Sequence, residues 1–183
     1  TDGRELWRRE FGSEVHKLSP RNTFGSSTPT VAAERVYVAW STPAAITLMA
    51  LDHNGRDVWQ QNLGPWVSQH GFATSPVLIG DVVVVHNSQD TQELEPGQKP
   101  GDSCIVACDA KTGAPRWTTP LVASRACYSV PCIYQPAGGA PELVFITTSE
   151  GVFGLDPKTG KEKWRVPGVF KMRVVCSPLL AGD

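Results

Sequence analysis

Apolar positions in this chain come in short bursts. Runs such as Val82-Val83-Val84-Val85 are strand-sized, and turn residues separate them from the next burst. β-Branched and aromatic residues dominate the bursts, and Gly, Pro, Asn and Asp fill the gaps, which is the pattern of short strands joined by turns. The pattern predicts strands in sets of four. First strands follow Ser-Pro, as at 77–79. Second strands run over 35–40, 82–86 and 143–147. Third strands cover 48–51, 105–108 and 152–155, and fourth strands cover 57–61, 115–118 and 162–166. No segment of useful length carries a helical period.

Two phrases recur along these sets. The first is a small or apolar pair, then Asp, a turn ending in Gly, and Trp a few residues later. It reads Ala50-Leu51-Asp52-His53-Asn54-Gly55 with Trp59, and Ala107-Cys108-Asp109-Ala110-Lys111-Thr112-Gly113 with Trp117. The clearest copy is Gly154-Leu155-Asp156-Pro157-Lys158-Thr159-Gly160 with Trp164, and a truncated one opens the chain at Asp2-Gly3 with Trp7. The second phrase is Ser-x-Pro or Ser-Pro, at Ser27, Ser75, Ser129 and Ser177. Tryptophans recur at intervals of 52, 58 and 47 residues. Periods of roughly 40–50 residues with strand content predict four-stranded propeller blades.

The turn has a physical reason. Asp accepts bonds from turn N–H groups, Thr adds another, and Gly takes the positive φ that reverses the chain. The Trp ring is suited to docking one blade on the next. Trp7, Trp59, Trp117 and Trp164, with Asp52, Asp109, Asp156, Gly55, Gly113 and Gly160, are therefore expected to hold blades together.

Ala-x-Asp-x-x-Thr-Gly-x-x-x-Trp resembles the docking motif of the pyrroloquinoline-quinone (PQQ) type of β-propeller repeat. That family includes quinoprotein alcohol dehydrogenases, an outer-membrane assembly scaffold lipoprotein and uncharacterised bacterial members. The resemblance covers essentially the whole chain, and Gln69-His70-Gly71 and Asn22-Thr23-Phe24 look most similar to the uncharacterised members. It implies an all-β propeller of four-stranded antiparallel blades over residues 1–183, with about three full blades and two partial ones. On that reading the chain is a segment of a seven- or eight-bladed ring, without a second domain. It also implies an extracytoplasmic location, periplasmic or secreted.

Composition narrows the function. The net charge of −1 lacks the basic surplus of a nucleic-acid binder, and no apolar run reaches the ~18–20 residues of a membrane span. The five cysteines have no metal-site spacing. Cys104 and Cys108, ~13 Å apart along one strand, are too distant for a disulfide. The quinoprotein enzymes imply PQQ with calcium and often a disulfide between adjacent cysteines. No adjacent pair exists here, so no cofactor and no metal is expected, and PQQ with calcium belongs only to the alternative reading of a quinoprotein dehydrogenase, or another propeller enzyme completed by further blades.

The linkers before each first strand carry the candidate binding residues. These are Lys17, Arg21 and Asn22 in the first, Gln69 and His70 in the second, Arg125 and Tyr128 in the third, and Arg173 in the fourth. Together they predict a cationic funnel mouth for a small anionic ligand or an acidic protein segment. The insertion over 88–103, with Glu93 and Glu95, reads as a solvated loop. The leading function is a binding or scaffolding propeller whose partner is a protein or an anionic small molecule. Exposed sheet edges predict self-association of the isolated chain.

Overall fold

The computed structural model describes residues 2–14, 26–122 and 124–181. It contains twelve strands in three four-stranded antiparallel sheets. The first sheet is β1 (Thr30–Val31), β2 (Val36–Ser41), β3 (Ile46–Leu51) and β4 (Asp57–Asn62). The second is β5 (Val77–Ile79), β6 (Val82–Asn87), β7 (Ser103–Asp109) and β8 (Pro115–Leu121). The third is β9 (Cys132–Tyr134), β10 (Glu142–Thr147), β11 (Gly151–Leu155) and β12 (Glu162–Val166). Strand order follows chain order within every sheet. The predicted strands agree with these bounds to within a few residues. Each sheet carries the same register shift between β-strands three and four, at Ala50/Leu51, Ala107/Cys108 and Gly154/Leu155.

The apolar bursts are continuous where a sheet is covered on both faces. Side chains alternate across a strand, so Val83 and Val85 join Tyr37, Leu48 and Ala50 in one core, between the first and second sheets. Val82 and Val84 join Leu143, Phe145, Phe153 and Leu155 in another, between the second and third. Four consecutive valines thus glue three blades together, and Val83, Val84 and Val85 are fully buried. Outer strands carry little of this, and all five residues of β12 are exposed.

The docking phrase works as its chemistry predicts. Asp109 Oδ1 accepts from Lys111 N (3.0 Å), Thr112 N (2.7 Å) and Thr112 Oγ1 (2.8 Å). Asp156 accepts the same three bonds from Lys158 and Thr159, and Asp52 accepts from Asn54 N and Arg56 N. Three of the tryptophans then reach the turn of the following repeat. Trp7 Nε1 donates to His53 O (2.8 Å), Trp59 Nε1 to Ala110 O (3.0 Å) and Trp117 Nε1 to Pro157 O (3.0 Å). Their rings lie over Gly55, Gly113 and Gly160, whose φ values are +76°, +75° and +69°. No following turn stands opposite Trp164 among the described residues. Its N–H donates to Glu142 Oε2 (2.7 Å) in its own sheet, and its ring covers Gly154.

The Ser-Pro phrase is a second inter-blade tie. Ser75 Oγ accepts from Thr28 N (2.8 Å), and Ser177 Oγ accepts from Val130 N (2.9 Å). Each serine thus caps the N–H that follows the serine one repeat earlier. Ser129 faces Pro76 in that scheme, and proline has no N–H to offer. Its hydroxyl donates instead to Ile146 O (2.6 Å).

Candidate functional site

The connection between second and third strands is short in two blades, residues 42–45 and 148–150, and long in the second, residues 88–102. The start of this insertion is not solvated, contrary to the expectation from its composition. Ser88, Gln89 and Asp90 are buried, Asp90 completely. Gln89 is fixed by Val67 N, Pro65 O and Ser103 Oγ. Ser88 Oγ accepts from Cys127 N, and Asp90 Oδ1 accepts from Ala126 N (2.6 Å). Residues 95–100 are exposed, so the solvated reading holds for the tip alone.

The insertion presents two of its acids, Asp90 and Glu93, to the linkers. Arg173 Nη2 donates to Asp90 Oδ1 (3.3 Å) and to Glu93 Oε2 (2.6 Å). Arg125 Nε lies 3.2 Å from Glu93 Oε1, and the Gln69 amide also donates to the Glu93 carboxylate. The Arg173 guanidinium sits over the Tyr128 ring, 5.9 Å from its centroid. Tyr128 Oη contacts Ser68 Oγ (3.3 Å), and its ring meets His70 edge-on at 6.2 Å. His70 O in turn accepts from Trp66 Nε1 (2.8 Å).

Five candidates from three linkers, Gln69, His70, Arg125, Tyr128 and Arg173, therefore form one continuous cluster. Lys17, Arg21 and Asn22 lie outside the described residues. The cluster is not the uncompensated cationic mouth expected from the linker sequences. Asp90 and Glu93 balance Arg125 and Arg173, two charges against two. Sequence reasoning missed Asp90 because nothing in a polar Gly- and Pro-rich stretch distinguishes a buried acid from a solvated one. The only available signal was the need of clustered arginines for counter-charge.

The environment sets the protonation states. Burial, reinforced by the Arg173 charge, holds the His70 imidazole below its ordinary value, so at neutral pH it adds no positive charge. Burial pushes the Tyr128 phenol up to about 12. Burial alone would raise the Glu93 carboxyl, but the Gln69 amide and the two guanidinium groups outweigh it and hold it below the usual range. Arg173 Nε and Asp90 Oδ2, both buried, have no protein hydrogen-bond partner among the described residues. The segment carrying Arg173 also lines an open cavity of about 320 Å³, with Phe170, Met172 and Val174 in its wall.

Among the described residues the cysteines and the other histidines form no metal-binding group. All five cysteines are free thiols, and Cys127 Sγ contacts Thr148 Oγ1 (3.3 Å). Among the described residues no three His, Cys, Asp or Glu side chains come together to hold a metal ion.

Comparison with known proteins follows the fold. A search of curated protein sequences finds no significant match. BamB from Moraxella catarrhalis superposes with a TM-score of 0.50 at 21% identity, over 85% of this chain and 38% of that one. A europium-containing methanol dehydrogenase gives 0.53 at 16% identity, over 75% and 31%. The quinohemoprotein alcohol dehydrogenase ADHIIG from Pseudomonas putida HK5 gives 0.51 at 21% identity, over 82% and 21%. The chain thus spans well under half the length of each, and these likenesses show the propeller fold. The family model described as outer membrane protein assembly factor BamB matches residues 1–129 of the 183, and with the repeated Asp-turn-Trp docking it shows that this chain belongs to the BamB-type family of PQQ-repeat β-propellers.

Proposed function

We propose that this propeller is a binding or scaffolding protein of the extracytoplasmic space, and that its linker cluster receives a carboxylate-bearing ligand. The reading rests on one observation: Arg125, Arg173 and Gln69, from three separate linkers, converge on a single carboxylate, that of Glu93. Two guanidinium groups and an amide around one carboxylate form a recognition set for that group, with donors in fixed geometry. The family's description as an outer membrane protein assembly factor supports a protein partner and the location.

Calorimetric titration tests the reading with two probes, succinate and an acetylated, amidated Asp-Glu-Asp-Glu peptide. Binding that weakens with salt and is lost in Arg125→Gln, but not in the turn variant Lys158→Gln, supports it. Binding that ignores Arg125 refutes it. Response to the peptide but not to succinate assigns the site to a protein partner. The flanking segments bear exposed apolar side chains, Leu6 and Phe11 at one side and Val166, Met172 and Val175 at the other, which support self-association of the isolated chain. A monodisperse monomer by light scattering overturns that part.

A further inference from the structure

The two acids of the cluster are held very differently. Asp90 is completely buried, its N–H donates to Val67 O (2.8 Å), and its carboxylate caps Ala126 N. It is the permanent counter-ion of Arg173. Glu93 lies three residues further along an irregular loop, and its side chain keeps 31% of its exposure. Its contacts with Arg125, Arg173 and Gln69 are made entirely by the carboxylate.

We infer that Glu93 is a built-in occupant of the carboxylate site, which a ligand carboxylate displaces by swinging the 92–100 loop outward. The inference rests on the proposed binding function of the same cluster. Charge arithmetic supports it. With Glu93 in place, the four ionised groups sum to zero. With Glu93 withdrawn, Arg125, Arg173 and Asp90 leave a single positive charge beside a neutral His70, which matches one carboxylate. Arg173 Nε retains a buried donor beyond those Glu93 and Asp90 engage. The loop can move without unseating its base. Thr91 N and Thr91 Oγ1 each donate to Ser124 O (3.2 Å), and Gly101 N donates to Asp90 O (3.2 Å), so the 92–100 segment springs from two anchored ends. Exchange of one carboxylate for another also conserves the charge pairing of the buried arginine, so Arg173 is never left with an uncompensated contact.

An internal competitor lowers apparent affinity by the fraction of time the site stands open. Removing it therefore tightens binding without adding a contact to the ligand. The test titrates succinate and the acidic peptide into wild type, Glu93→Ala and Arg125→Gln, with thermal melts confirming that each variant folds. Glu93→Ala is expected to bind at least one probe about tenfold more tightly than wild type, while Arg125→Gln loses binding. Equal or weaker affinity in Glu93→Ala, with Arg125→Gln still defective, overturns the displacement while leaving the binding reading intact. No binding to wild type or to Glu93→Ala overturns both. Hydrogen exchange of the 92–100 amides gives an independent readout. Protection that falls when probe is added to wild type supports displacement, and unchanged protection under saturating probe opposes it.

Discussion

The docking of Trp59 against Gly113 offers a quantitative test of what holds neighbouring blades together. A Cβ added to Gly113 would sit 2.6–2.9 Å from three atoms of the Trp59 ring, well inside contact distance. Gly138 has a similar backbone, with φ +71°, and nothing within 4 Å of the same added atom. Alanine at either site therefore carries the left-handed backbone cost of about 1–2 kcal/mol. Only Gly113→Ala must also displace a ring, at about 1–3 kcal/mol for an overpacked contact. The predicted losses are then about 1–2 kcal/mol for Gly138→Ala and about 2–5 kcal/mol for Gly113→Ala. Trp59→Ala on its own should cost about 3 kcal/mol, the low end for a large aromatic because the ring is half-exposed. In the Trp59→Ala background the ring is gone, so Gly113→Ala should fall back to the backbone cost alone. Urea unfolding of all four chains followed by far-ultraviolet circular dichroism measures the coupling, since fluorescence would change with the removed indole. A coupling below about 0.5 kcal/mol would mean that the ring and the glycine do not interact, and the account of blade docking would be wrong.

Other consequences can be checked on the same protein. Ser75→Ala leaves Thr28 N without its acceptor and should cost about 1 kcal/mol, measured as a lower urea midpoint with an unchanged m-value. His86 is completely buried, and burial lowers it to about 4. Between pH 6.5 and 4 the unfolded chain takes up a proton there and the folded chain does not, so stability falls with pH by roughly 3 kcal/mol. His70, also lowered, adds to the same slope, and His86→Gln should flatten the larger part of it in melts taken across that window. Carboxylates held low, such as Asp109 at about 2, lose their contribution only as pH falls below their unfolded values near 4. Cys176 is exposed while Cys108 and Cys127 are buried, and burial pushes the Cys108 thiol to about 11. Maleimide labelling followed by peptide mass spectrometry should therefore modify Cys176 first and leave Cys108 unmodified until denaturant is added.

The blades were readable in the sequence because their determinants are local. An Asp, a Thr and a Gly within five residues close a turn whatever surrounds it, and four valines in a row have few uses outside a sheet covered on both faces. The docking partner of each Trp could be named as a role, the turn of the following repeat. Glu142, which accepts the Trp164 N–H from two strands away in the same sheet, is not part of the repeated phrase and could not be named from it. The serine tie was likewise invisible. It depends on which backbone N–H stands opposite one repeat away, and at Pro76 there is none. The linker candidates were found because cations and amides recur at one position of the repeat. Their counter-charges were not found, because Asp90 and Glu93 come from an insertion that has no equivalent in the other blades.

That contrast locates where this propeller can acquire a specificity of its own. Docking uses Trp7, Trp59 and Trp117 with the Asp and Gly of the turn each one reaches in nearly the same way, so those residues cannot vary without loosening the blades. Linkers are freer, but each is tied to its neighbour through backbone bonds such as Tyr128 N to Val174 O (3.0 Å). The connection between second and third strands is constrained least, as its three lengths show. In the second blade it has grown inward at its base and outward at its tip. The base buries Asp90 and fixes Arg173, which orders the site. Between base and tip lies Glu93, which fills it. One loop thus builds the recognition geometry and supplies the group that competes for it. Affinity can then change at Glu93, leaving every tryptophan and serine tie between blades untouched.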